Sequence, residues 1–107
     1  MLKINFIDAP DLVVTIELEM TRYYLRLLWN DEGQYWTLSV RNEENQFLVE
    51  GIKVVPSYPL LSNYHRPELP PGEFIVVCKN DTLSRDAFIK NKATLIYMTK
   101  AEFYGTI

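Results

Sequence analysis

The sequence predicts an all-β fold: a small β-sandwich or partly open barrel of about seven short antiparallel strands, with one proline-rich loop and at most one or two short helical turns. Three observations carry this. Apolar and polar residues alternate with period two through most of the chain, which puts successive side chains on opposite faces of a strand. Polar turn clusters interrupt that alternation at regular spacing. Aromatic residues reach 13%, with Tyr 7, Phe 5 and Trp 2, a composition that favours strands and interfaces over helical packing.

The elements follow in order. Leu2, Ile4 and Phe6 share one side of a first short strand, opposed by Lys3 and Asn5, before Ala9-Pro10-Asp11 breaks the chain. Leu12, Val14, Ile16, Leu18 and Met20 then alternate with Val13, Thr15, Glu17, Glu19 and Thr21. The pattern continues through Tyr23, Leu25, Leu27 and Trp29, opposed by Arg22, Tyr24, Arg26 and Leu28. Strands rarely exceed about ten residues, so this run must bend or turn near Met20–Arg22. A helix over 12–29 fails, because Glu17, Glu19, Arg22 and Arg26 spread around a helical wheel and leave no apolar stripe.

Asn30-Asp31-Glu32-Gly33 marks a hairpin turn between aromatic-rich strands, with Gly33 expected to supply the left-handed residue. Trp36, Leu38 and Val40 return on one face, opposite Tyr35, Thr37, Ser39 and Arg41; Trp29 and Trp36 flank the turn at positions that can be neighbours across the hairpin, with core packing of one or both favoured over a ligand cage. A second polar turn, Asn42–Gln46, leads to Phe47–Glu50, and Gly51 points to a bulge or close backbone approach before Ile52–Val55. Residues 22–55 thus read as a three-strand meander.

Five of the 6 prolines fall within residues 56–72, PSYPLLSNYHRPELPPG. Proline removes ladder donors, so this is an ordered irregular excursion or a single helical turn near Leu60-Leu61-Ser62. Tyr58, Leu60, Leu61, Tyr64 and Leu69 make it too apolar for a free linker, and it should pack on the domain or on a partner. Glu73–Lys79 is apolar on both faces and reads as a strand that is central or covered. Residues 80–89 are polar, with Thr82 or Ser84 able to cap one helical turn. Residues 93–99 give a last strand and 100–107 a tail.

With 107 residues, 48% of them hydrophobic and 23% charged, the chain suits one folded domain spanning 1–107. The single Cys78 excludes an internal disulfide. No apolar run approaches the roughly 18 residues of a membrane span, and the opening MLKINFID lacks a signal-peptide pattern. A formal net charge of -3 argues against sequence-independent nucleic-acid binding, which needs clustered Lys and Arg.

Residues suited to catalysis or metal binding are sparse. His65 is the only histidine, sits between Tyr64 and Arg66, and lacks HxH or HxxxH spacing; it reads as a surface or loop-packing residue. Cys78 lies in an apolar strand and reads as an inert buried thiol. Asp31-Glu32 and Glu43-Glu44 sit at hairpin tips as solvated charge, and Asp81 and Asp86 need ligands from elsewhere to hold a cation. No enzyme, cofactor or metal site is expected. Arg22, Tyr24 and Arg26, extended by Tyr35, Thr37, Ser39 and Arg41, allow three readings: a base-stacking platform, an outer sheet face whose Arg stems cover tyrosine rings and pair with Glu17 or Glu19, or a protein-docking face.

The stretch YYLRLLWNDEGQYWTLSVRNEENQFLVEGIKVV resembles the baseplate plug family of contractile-tailed bacteriophages. Leu25-Arg26-Leu27-Leu28-Trp29-Asn30 matches that family's first strand, with one extra Leu before Trp29. Gly33 and Trp36-Thr37-Leu38 match the hairpin, and Leu48-Val49-Glu50-Gly51-Ile52 the third strand. The likeness continues through Leu60-Leu61, Tyr64, Pro71-Gly72, Phe74–Val77 and Ser84-Arg85-Asp86 to Leu95-Ile96-Tyr97, and departs at Ser57-Tyr58-Pro59. It implies a virion component near the central axis of the tail baseplate, assembled in the host cytoplasm, that contacts the hub and distal tail tube proteins, with copies of itself around that axis as a further candidate partner. It implies no catalytic residues. The expected partner contacts are Arg22, Tyr24 and Arg26 on the sheet face and Tyr58, Leu61 and Tyr64 in the loop. The rival reading is a free-standing small β-barrel binding module, OB-like for nucleic acid or holding a small ligand.

Overall fold

Alternation over residues 11–53 folds as a meander in which each strand pairs with the next in sequence. A computed structural model describes residues 2–61, 64, 68–78 and 83–104, with backbone alone at 103 and 104. The strands are β1 (Leu2–Ile4), β2 (Asp11–Leu18), β3 (Thr21–Asn30), β4 (Tyr35–Arg41), β5 (Phe47–Lys53), β6 (Glu73–Cys78) and β7 (Ala93–Met98), followed by a short helix α1 (Lys100–Tyr104). They form two antiparallel sheets, a four-stranded one in the order β2-β3-β4-β5 and a three-stranded one in the order β1-β7-β6. The fold is therefore a sandwich, and neither sheet closes into a barrel.

The long alternating run does turn, at Glu19-Met20, leaving Leu18 opposite Thr21. Both turn residues have positive φ, 49° and 72°, the pattern of a tight two-residue hairpin loop, and Met20 points out at 94% exposure. Residues 22–55 form the three strands expected there, β3 to β5, and β2 joins ahead of them to make a four-stranded meander. At the next turn the left-handed residue is Gln34, φ 57°, and not Gly33. Gly33 is needed for a different reason: a Cβ there would run into the Tyr35 ring. Gly51 (φ 72°) lies in a bulge, where it and Glu50 together oppose Ser39, and its N–H donates to Ser39 Oγ at 3.0 Å.

The inner faces of the sheets supply the core. Leu25, Leu27, Leu38 and Val40 from the larger sheet face Phe74, Val76 and Leu95 from the smaller, all fully buried. Trp29 and Trp36 are both buried, 5.5 Å apart between ring centroids, and Trp36 also meets Phe6 and Phe88 edge-on. Such edge-to-face aromatic pairs add about 0.5–1.5 kcal/mol each beyond area burial.

β6 differs from expectation. It is an edge strand, with Val77 57% exposed on its outer face, while β7 takes the centre of the sheet. Its apolar character is explained along the edge: the proline-rich segment lies beside it, Ser57 N–H donating to the Val76 carbonyl at 2.8 Å and Leu60 N–H to that of Phe74 at 3.0 Å. At the chain's end, Thr99 and Glu102 cap α1 reciprocally, each accepting from the other's backbone N–H at 3.2 and 2.9 Å.

Candidate interaction surface

The outer face of the four-stranded sheet is built by the side of the alternation that points away from the core. Arg22, Tyr24 and Arg26 occupy successive outward positions of β3, beside Thr15 and Glu17 on β2 and Ser39 and Arg41 on β4. Arg26 makes a fork to Asp11, Nε–Oδ1 3.0 Å and Nη2–Oδ2 2.7 Å. That hydrogen bond holds the Asp11 carboxyl below its ordinary pKa and raises that of the Arg26 guanidinium. The partner is thus Asp11, where the sequence suggested Glu17 or Glu19. Arg22 makes no ion pair among the described residues and is exposed.

Further across the face, the Arg41 guanidinium lies 4.1 Å from the Phe47 ring centroid and donates to Asn45 Oδ1 at 3.0 Å. Lys53 Nζ lies 5.0 Å from the Tyr35 centroid. Cations thus already cover two of the aromatic rings, and Asp11, Glu17 and Glu50 are interleaved with them. This is a mixed polar-aromatic face and lacks the concentrated basic patch that a strand of nucleic acid requires.

The loop residues belong to the other sheet. Tyr58 and Tyr64 are 44% and 38% exposed, whereas Leu61 is 4% exposed and turns into the core with Leu60 and Leu69. Of the three loop residues expected at a contact, only the two tyrosines present surface; Leu61 anchors them. Its N–H donates to Glu73 Oε1 at 2.8 Å, and the same oxygen accepts from Phe74 N–H at 3.2 Å. Glu73 is 2% exposed, a buried carboxylate that organises the loop from the first position of β6. Sequence reasoning missed it, because one acid at a strand start after Pro71-Gly72 reads as solvated.

A second buried polar link fixes the far end of the loop. The Tyr97 hydroxyl accepts from Gly72 N–H at 2.7 Å and donates to Glu19 Oε2 at 2.6 Å. Burial, then the Glu19 carboxylate, raises the Tyr97 pKa. Gly72 can only be glycine here, since a Cβ would overlap the Met98 carbonyl.

Among the described residues no group of three or more His, Cys, Asp or Glu side chains could hold a metal ion. Asp86 is hydrogen-bonded by Lys90 (2.8 Å) and by Ser84 (2.8 Å), which draw its pKa down to about 2. Asp31, Glu32, Glu43 and Glu44 are exposed at their hairpin tips. Cys78 is half-buried against the core. His65, Asp81 and Thr82 lie outside the described residues.

No curated protein matches the chain significantly. A family model described as cyanophage baseplate Pam3 plug gp18 matches residues 1–100, nearly the whole length. The match spans both sheets, the proline-rich loop and the strand that anchors it, so this chain belongs to the cyanophage baseplate plug family, structural components of the phage tail baseplate.

Proposed function

We propose that the protein is a shape-dependent plug or adaptor that packs near the central hub and the distal tail tube of a contractile baseplate. The family match over residues 1–100 carries this reading. A part of this kind works through complementary surfaces, and the exposed side chains supply the residue types that dominate interface energetics, Arg and Tyr, on a stiff β scaffold. Arg22, Tyr24 and Arg26 form one contact patch; Tyr58 and Tyr64 form another, held out by the buried Leu61 and Glu73. Assembly takes place in the host cytoplasm, with copies arranged about the tail axis.

The test is pairwise binding of the purified protein to the hub and tail tube proteins of its own phage. Replacing Tyr24 and Arg26 with Ala, and separately Tyr58 and Tyr64 with Ala, should each weaken binding at least about tenfold, the loss typical of a hot-spot residue, with thermal stability nearly unchanged. A protein that binds neither partner, or variants that bind as well as the parent, would overturn the assignment.

A further inference from the structure

An exposed sheet edge is a row of unpaired backbone donors and acceptors, and proteins generally blunt such edges. Three of the four edges here are blunted. The proline-rich segment bonds along β6, two register shifts break up β5, and β1 is only three residues long. β2 is different. It runs eight residues, DLVVTIEL, pairs with β3 without a bulge, and carries no Pro, Lys or Arg. Among the described residues nothing hydrogen-bonds to its other side.

The hairpin geometry says which groups are unpaired. A two-residue turn at Glu19-Met20 makes Leu18 and Thr21 the first hydrogen-bonded pair, so Leu12, Val14 and Ile16 bond to β3 in alternation. Asp11, Val13, Thr15 and Glu17 therefore turn their N–H and C=O groups toward the open side. Val14 and Ile16, on the core side, are only partly buried, as a strand missing a neighbour would leave them. At the Leu18 end, the edge runs into a pocket of about 140 Å³ between the sheets, lined by Leu2, Glu17, Leu18, Glu19, Tyr97 and Thr99. Glu17 stands opposite Arg22 across the β2–β3 pair but makes no ion pair among the described residues, and Glu19 accepts from the neutral Tyr97 hydroxyl.

We propose that β2 is a docking edge for an extended segment of a partner protein. That segment adds a strand beside β2, lays apolar side chains over Val14 and Ile16, and sets a Lys or Arg against the exposed Glu17 carboxylate on the outer face. Charge chooses this occupant over a second copy. Antiparallel self-pairing centred on Val14 sets Asp11 of one copy opposite Glu17 of the other, a repulsive cross-strand pair, and β2 has no cation of its own to set against Glu17.

The experiment uses two synthetic probes, an extended peptide alternating Val and Thr with Lys at both ends, and its twin with Glu at both ends. In the free protein the amides of Val13, Thr15 and Glu17 should exchange quickly with solvent while those of Val14 and Ile16 are protected. The lysine peptide should protect the first set and bind at least about tenfold tighter than the glutamate twin. Glu17→Lys should reverse that preference, and Thr15→Pro, which removes an outward N–H without costing a bond to β3, should abolish protection. Equal binding of the two peptides, no protection at millimolar peptide, or amides already protected by a concentration-dependent dimer would each overturn the proposal. Neither probe is a phage protein, so the outcome is independent of the hub and tube reading.

Discussion

The meander of β2–β5 and the described residues of the proline-rich segment after it are held in opposite ways. In the meander, neighbours in sequence are neighbours in space. Each hairpin closes its own ladder, and many equivalent backbone bonds share the load. In the described residues of the segment between 56 and 72, proline cannot supply ladder donors, and long-range polar contacts take the place of a ladder. Two backbone bonds to β6 hold its first part, Glu73 holds Leu61, and Tyr97 holds Gly72. The first region is therefore vulnerable through its packed core, the second through individual buried polar atoms.

The sharpest way to break that contrast is Glu73→Ala. It strips a buried acceptor from the Leu61 and Phe74 N–H groups, and an orphaned buried donor costs about 1–3 kcal/mol, more when the lost acceptor is charged. Chemical denaturation should show a loss of about 3 kcal/mol. Amide exchange at Leu61 should accelerate well before that at Leu25 or Leu38 in the meander. A loss no larger than that of a surface substitution, or uniform acceleration across both regions, would mean the loop has no such single anchor.

Tyr97→Phe probes the other anchor and should cost about 1–2 kcal/mol, because it orphans Gly72 N–H but leaves the ring packed on Phe74. It also carries a pH signature. The folded state raises the Tyr97 pKa above its unfolded value near 10, chiefly by burial and then by the Glu19 carboxylate. A raised pKa means the folded state holds the proton more tightly, so the associated stability is complete below about pH 10 and drains away as pH climbs above it. Tyr23, raised mainly by burial, adds a contribution of the same sign. Urea midpoints measured between pH 8 and pH 11 (a working range of about three units) should fall at the alkaline end in the parent and fall less steeply in Tyr97→Phe. Equal slopes would show that the hydroxyl is not held as the geometry indicates.

The same contrast explains what could be read in advance. Strand identities in the meander are encoded by alternation within a few residues, and its turns by short polar clusters, so the four strands and the bulge at Gly51 were legible. The loop's exposed tyrosines were legible as composition. Its anchors were not, because they join positions 12, 25 and 78 residues apart: Leu61 with Glu73, Gly72 with Tyr97, Glu19 with Tyr97. No local pattern distinguishes Glu73 or Glu19 from the solvated acids at the hairpin tips. The edge position of β6 was hidden for a related reason. An apolar strand reads as central or covered, and only the fold reveals that it is an edge whose free side a proline-rich segment lines.

Gly51→Ala tests the meander on the one point where it, too, relies on a single residue. Gly51 has φ 72°, a region that costs an L-residue about 1–2 kcal/mol, yet the space where a Cβ would project is open. The penalty is therefore backbone strain alone, with no collision. A loss of about 1 kcal/mol is expected, the smallest of the three. The bulge sets the register of β5, with Val49 opposite Val40 on one side and Ile52 opposite Leu38 on the other, so all four side chains stay buried. Removing the bulge by shifting one residue would turn one end of β5 inside out. The chain should accordingly keep the bulge and accept the strain, and the Gly51 to Ser39 Oγ hydrogen bond should survive in the variant. A loss above about 3 kcal/mol would show instead that register had slipped, and that the meander leans on one residue as heavily as the loop leans on Glu73.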